Sequence, residues 1–191
     1  WPSVNLDVWA GDTPPTEDRV VAIGSASYVK GTMDTIDMLT GTGLAYHHVG
    51  GGSDADIATM VAYAKDKGVE LIVEPRLSQD ELVGLVKRSR AMVSLARSEP
   101  FGLTPIEAQA AGTPALMVDE GGYRHTVKDG ISGRLLPRDD WAAWHQALED
   151  AVNPENRKTW TRAGQENIAK MGLQPEEQAS TLAAIIDKLR E

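Results

Sequence analysis

Two carboxylates, Glu99 and Glu107, stand eight residues apart in the segment Ser98-Glu99-Pro100-Phe101-Gly102-Leu103-Thr104-Pro105-Ile106-Glu107, with a glycine turn and a helix start between them. Carboxylates so placed can accept hydrogen bonds from a hydroxyl-rich ligand. The amino end of the helix adds free N–H groups and a partial positive charge, which suit a phosphate. Gly102, lacking a Cβ, lets the backbone at Phe101, Gly102 and Leu103 come close to a ligand, although a plain strand-to-helix turn would use the same residues. Glu99 is followed by Pro100 in an irregular turn, so it is either exposed or holding a ligand. Glu107 has two readings. Thr104-Pro105-Ile106-Glu107 has the form of a capping box, with Thr as cap, Pro at the first helical position and Glu at the third. Glu107 therefore either reaches back to the Thr104 amide or meets a ligand.

The elements that must position these groups follow from the spacing of apolar residues. Short runs rich in Val, Ile or Leu fall at 20–23, 44–49, 69–73, 91–95, 114–118 and 134–136. Between them lie helical patterns, notably 54–67 with Ile57, Met60, Val61 and Ala64 on one face, and 78–88 with Leu82, Leu85 and Val86. Strands alternating with such helices predict an α/β, Rossmann-like, doubly wound parallel sheet of six strands in the order 3-2-1-4-5-6. Ligands then bind beyond the carboxyl ends of the first and fourth strands. The loop after the first strand is 24–31 and ends in Lys30-Gly31, and the loop after the fourth leads to Glu99, so the topology puts Lys30 and Glu99 on one crevice. There Lys30 is either a cation for phosphate or a solvated lysine lying on the surface.

Residues 1–18, with Pro2, Gly11, Pro14 and Pro15 and no sustained periodicity, read as a linker-like segment. Residues 19–152 form the sheet domain. Residues 153–191 form C-terminal helices, predicted at 154–171 and 175–189, that pack on this domain or on a second one. Trp141, Trp144 and Trp160 on the terminal helical stretches read as core residues.

Composition removes several classes of function. Nineteen basic against 28 acidic residues give a net charge of −9, which opposes attraction to nucleic acid or anionic lipid, and a single Phe supplies little stacking surface. The absence of cysteine excludes thiolate chemistry and cysteine-ligated zinc and fits a reducing, cytoplasmic setting. No apolar run approaches the roughly 20 residues of a membrane-spanning helix. The first βα loop lacks G-x-G-x-x-G, and no glycine-rich loop ends in G-K-[ST], so neither NAD nor a P-loop nucleotide is expected. Asp54 and Asp56 do not face each other on a helix and read as first-turn acids rather than metal ligands. His47 and His48 point to opposite faces of a strand, and His125 and His145 stand alone.

Over most of residues 19–152 the chain resembles the donor-binding, C-terminal domain of retaining glycosyltransferases of the GT-B fold, group 1 type. Glu99 and Glu107 match the family's Glu-x7-Glu signature. Residues 20–31 resemble its strand and G-R-x-x-x-x-K-G loop, and Val49-Gly50-Gly51-Gly52 its V-G-x-G turn. Pro75-Arg76-Leu77-Ser78 resembles the loop beside the nucleobase, and 121–133 the G-G-x-x-E-x-V-x-D-G-x-x-G segment. Asn5-Leu6-Asp7 resembles the segment joining the two halves of such enzymes, and the lack of an initiator Met agrees with an excised or processed piece.

The resemblance implies one half of a GT-B enzyme. It implies a nucleoside-diphosphate sugar as substrate, of UDP or GDP type, with no cofactor and no metal. Glu99 would bond hydroxyls of the sugar and Glu107 the ribose, with Arg76 and Leu77 beside the base. The amides of Phe101, Gly102 and Leu103 would bond sugar and diphosphate, and Lys30 would stabilise the leaving diphosphate. Transfer of a hexosyl group would need an N-terminal acceptor-binding domain or subunit, without which the domain is inactive or weak. Two departures stand out: Ser25 where the family has arginine at the diphosphate, and His125 where it has glutamate. Arg97 and Arg124 are candidate replacements for the missing cation. A non-catalytic binding or assembly module, or a related sugar-nucleotide enzyme such as an epimerase, are the alternatives.

Overall fold

The computed structural model describes residues 4–9 and 16–190. Six strands, β1 (Glu17–Ile23), β2 (Ala45–Val49), β3 (Leu71–Glu74), β4 (Ser89–Ser94), β5 (Ala115–Val118) and β6 (Arg134–Leu136), form one parallel sheet in the order β3-β2-β1-β4-β5-β6. This is the expected doubly wound order, and it puts β1 beside β4. The central strands are apolar on both faces, as a sheet covered by helices on both sides requires: Val20, Val21, Ala91, Met92, Ala115 and Leu116 are fully buried.

The helices in chain order are α1 (Leu6–Trp9), α2 (Thr32–Leu39), α3 (Asp54–Lys67), α4 (Gln79–Arg88), α5 (Leu103–Ala111), α6 (Tyr123–Thr126), α7 (Trp141–Asp150), α8 (Pro154–Met171) and α9 (Pro175–Arg190). Helices α2, α3 and α7 make up one layer, and α1, α4 and α5 the other, with α8 packed on α5. Local signals set their ends. Ser78 and Glu81 close a reciprocal capping box on α4, Ser53 caps α3 through the Asp56 amide, and Asn153 caps α8 just before Pro154. Asp56 also accepts from the Ser53 hydroxyl at 2.6 Å, which fits a first-turn acid. Among the described residues no helix is long and apolar enough to cross a membrane.

Of the first 18 residues, read from the sequence as linker-like, 1–3 and 10–15 lie outside the described residues, and the described part packs on the sheet domain. Val4 and Trp9 are buried in the core, the Val4 amide donates to the Leu173 carbonyl at 2.8 Å, and β1 begins at Glu17. A four-residue helical turn is too short to display a period, and the charged start of β1 hides it as a strand. There Glu17 pairs with Arg19 and Arg88. Trp144 and Trp160 are buried, and the Trp144 indole N–H donates to the Pro137 carbonyl at 2.8 Å. Helix α9 buries none of its residues and leaves Leu182, Ile185, Ile186 and Leu189 exposed.

His47 and His48 face opposite sides, as strand geometry demands. His47 meets Glu74 at 3.0 Å and Arg19 at 3.2 Å. His48 is buried against the Tyr46 hydroxyl at 3.0 Å, and its Nε2 has no partner among the described residues. Burial, with a smaller contribution from the neighbouring His47, lowers the His48 pKa from 6.5 to about 4. The unfolded chain takes up this proton near pH 6.5 while the folded chain resists it to about 4. The stability contributed by the neutral ring is therefore full above about 6.5 and is lost as pH falls through 4, amounting to at most about 3 kcal/mol. Urea unfolding at stepped pH is expected to show His48→Gln losing less stability than the wild type over this window; parallel curves would exclude His48 as the source.

Candidate functional site

The crevice lies where the loops after β1 and β4 leave neighbouring strands. Lys30, at the end of the first loop, places its Nζ 2.9 Å from Glu99 Oε2 in the second. The two close a cavity of about 210 Å³ together with Ile23 at the end of β1, Ser94 at the end of β4, Leu103, Thr104 and Tyr123. Lys30 is the one cation among its described lining residues. The Tyr123 hydroxyl is 2.6 Å from the Ser94 hydroxyl. Burial, with a smaller contribution from the Glu99 charge, pushes the Tyr123 phenol up to about 12, so it stays protonated at neutral pH.

Leu103 and Thr104 are the first residues of α5, and no side chain caps that helix. The helix start corrects the capping-box reading. Gly102, at φ 86°, makes the turn that precedes the helix, so α5 begins at Leu103 and Glu107 is its fifth residue, out of reach of a capping role. A Cβ on Gly102 would lie 2.7 Å from the Tyr123 ring. The tight fit of ring on backbone supplies the turn that Thr104 was expected to make.

Glu107 is half-buried and lines a second cavity of about 190 Å³, with Val4, Asn5, Val8, Trp9, Gln79 and Leu103. Burial raises its carboxyl above the usual carboxylate range. Leu103 belongs to both cavities and joins the Lys30–Glu99 end to the Glu107 end. An open hollow of about 620 Å³ lies on the other side of Glu99, lined by Ser98, Glu99, Pro100, Glu120, Gly121, Gly122, Arg124 and His125. Ser98 holds φ at 53°, a left-handed conformation uncommon for a residue with a side chain.

Not every expected residue comes to this place. Phe101 is half-buried beside Gly102. Arg76 is exposed and Leu77 half-buried in the loop before α4; neither is among the residues lining the two cavities or the hollow described above, although Gln79, two residues on from Leu77, lines the Glu107 cavity. Ser25 is exposed, 3.4 Å from the Ser27 hydroxyl. The two candidate replacement cations are already paired. Arg97 contacts Asp34 at 2.6 Å and lies 4.0 Å over the Tyr28 ring, and Arg124 contacts Asp119 at 2.6 Å. Sequence reasoning missed Ser94, Tyr123 and the wall formed by Asn5, Val8 and Trp9. The strand-end rule pointed to the position of Ser94, whereas no spacing announces the others.

Gly31, at φ 68°, lies so close to the Leu95 carbonyl that a Cβ there would collide with it. Gly31→Ala is expected to cost about 2 kcal/mol or more in urea unfolding. A loss below about 0.5 kcal/mol would mean that the two loops are not locked together.

A family model described as "Glycosyl transferases group 1" matches residues 7–167. Among curated relatives, the D-inositol 3-phosphate glycosyltransferase of Streptomyces coelicolor is 38% identical over 113 residues, which cover 56% of this chain and 25% of that protein. The Mycolicibacterium smegmatis protein of the same name is 29% identical over 189 residues, covering 88% and 42%. Among solved structures, sucrose-phosphate synthase from Thermosynechococcus elongatus superposes with a TM-score of 0.86 at 20% identity, over 98% of this chain and 51% of that one. Anabaena Alr3699/HepE in complex with UDP and glucose does so with a TM-score of 0.78 at 14% identity, over 95% and 55%. At these identities the structural likeness is one of fold. The chain spans less than half the length of these two curated relatives and about half that of these two structures.

Proposed function

The chain belongs to the glycosyl transferases group 1 family, and on that premise we propose that it is the donor-binding half of a retaining GT-B glycosyltransferase, holding a nucleoside-diphosphate sugar of UDP or GDP type. The observation that carries this reading is the Lys30–Glu99 pair, 2.9 Å apart in a cavity at the uncapped start of α5. Lys30 and the amino end of α5 put positive charge where a diphosphate would lie and would stabilise it as it leaves. Supply of that charge by the protein itself is the ground for proposing metal-independent transfer.

On entry of the donor, phosphate oxygens replace Glu99 as the partner of Lys30. Glu99 is then released to accept hydrogen bonds from sugar hydroxyls on the side of the open hollow. The ribose reaches Glu107 past Leu103, with the base toward the loop of Arg76 and Leu77. The amides of Phe101, Gly102 and Leu103 complete the contacts to sugar and diphosphate. The relatives' name as glycosyltransferases supports sugar transfer, and the UDP and glucose held by Anabaena Alr3699/HepE support a donor of UDP type.

Transfer of the hexosyl group to an acceptor is assigned to this domain acting with an N-terminal acceptor-binding domain or a separate subunit. The apolar residues that α9 leaves uncovered support such a partner. The lack of cysteine suits a reducing, cytoplasmic compartment. A non-catalytic binding module is the second reading, favoured by Ser25 and by the single cation lining the cavity. Transfer of sugar by the chain together with a supplied N-terminal half would rule it out.

Calorimetric titration with UDP-glucose and GDP-mannose is expected to give saturable binding to one of them. Glu99→Ala and Lys30→Ala should each weaken it by roughly ten- to a hundred-fold, the scale of a hydrogen bond to a charged group, with unchanged circular dichroism. Wild-type affinity in both variants would remove this crevice as the donor site.

A further inference from the structure

Arg138, in the loop after β6, lines neither cavity, yet its guanidinium ties that loop to the loops after β4 and β5 and to the first turn of α2 at the crevice edge of the sheet. Its Nη1 donates to the Leu95 carbonyl at 2.6 Å and to Asp34 Oδ2 at 3.1 Å. Its Nη2 donates to Glu120 Oε2 at 2.8 Å and to the Ala96 carbonyl at 3.4 Å, and its Nε to Glu120 Oε1 at 2.9 Å. Asp34 lies in the first turn of α2, Leu95 and Ala96 follow β4, and Glu120 follows β5. Arg97 adds to the same cluster by pairing with Asp34 and donating to the Tyr28 carbonyl at 2.9 Å.

Each tie leads to one member of the Lys30–Glu99 pair. The Leu95 carbonyl that accepts from Arg138 is the group against which Gly31 packs, and Gly31 follows Lys30 directly. Arg97 fixes the other side of the same loop, since its amide donates to the Val29 carbonyl at 2.7 Å. On the Glu99 side, Glu120 leads into Gly121-Gly122, and the Gly122 amide donates to the Glu99 carbonyl at 2.7 Å. A Cβ on Gly121 would lie 2.6 Å from that carbonyl. One planar cation with five donors can serve several oxygens at fixed angles, which a lysine ammonium cannot do.

We propose that Arg138, acting through Asp34 and Glu120, is a positioning residue that holds Lys30 and Glu99 in register for the diphosphate. This rests on the reading of the crevice as a donor site, but its structural half can be tested without a ligand. The side chain is 20% exposed, so the cluster is partly shielded from solvent.

The test compares wild type, Arg138→Gln, Arg138→Lys and Asp34→Asn in two measurements. The first is calorimetric titration with UDP. The second is NMR detection of lysine ammonium groups, whose exchange with water slows in a fixed ion pair, with Lys67 as internal reference. Lys67 pairs with Asp37 at 2.9 Å and has no contact with the Arg138 cluster. Arg138→Gln is expected to lose the Lys30 ammonium signal while keeping that of Lys67, and to bind UDP at least ten-fold more weakly. Arg138→Lys should restore neither, and Asp34→Asn should shift both in the same direction by less. Should Arg138→Gln fail to fold, Asp34→Asn decides alone.

An unchanged Lys30 signal, or rescue by lysine, would overturn the proposal. Loss of both ammonium signals would do the same, because it would mean general loosening. If the wild type binds no UDP, the titration counts against the donor reading, and the Lys30 signal decides the positioning role independently.

Discussion

Because β1 and β4 pair in parallel, Val20 against Ala91 and Val21 against Met92, the chain leaves two neighbouring strands at the same edge of the sheet and turns away from them to opposite sides. Each loop then enters a helix, so α2 and α5 both begin at the crevice and direct their positive ends toward it. That topology brings Lys30 and Glu99, 69 residues apart in the chain, to the same crevice. The six-stranded order makes the gap, and the glycine contacts decide how narrow it is.

The crevice also divides its charges between two kinds of work. The whole chain carries a net charge of −9, which disfavours an anionic ligand at long range. Any attraction to a diphosphate therefore has to be local. Lys30 is the cation that reaches the cavity, while Arg97 and Arg138 are committed to Asp34, Glu120 and backbone carbonyls. Arg97, one of the two candidate replacements for the missing cation, serves with Arg138 as a strut. A pair of hydroxyls, on Ser94 and Tyr123, lines the same cavity without adding charge.

Much of this was legible from periodicity. Buried parallel strands read as short apolar runs and the long helices as a 3.6-residue pattern, so the six strands, their order and the shared crevice of Lys30 and Glu99 all followed. What escaped was set by contacts rather than by pattern. The turn of Leu6–Trp9 is too short to show a period, and it holds its place because Val4 and Trp9 are buried. Thr104-Pro105-Ile106-Glu107 carries every residue of a capping box, but Gly102 against the Tyr123 ring starts the helix earlier and turns Glu107 toward a cavity. Arg138 lies 104 residues from Asp34, and nothing in its own segment announces that partner.

The most direct measurement is a crystal structure of the chain grown with UDP. The expected result has the diphosphate within hydrogen-bonding distance of Lys30 Nζ and of the first amides of α5, the ribose on Glu107, and the Lys30–Glu99 contact opened. UDP bound elsewhere, or bound with that contact intact at 2.9 Å, would contradict the assignment of this crevice to the donor.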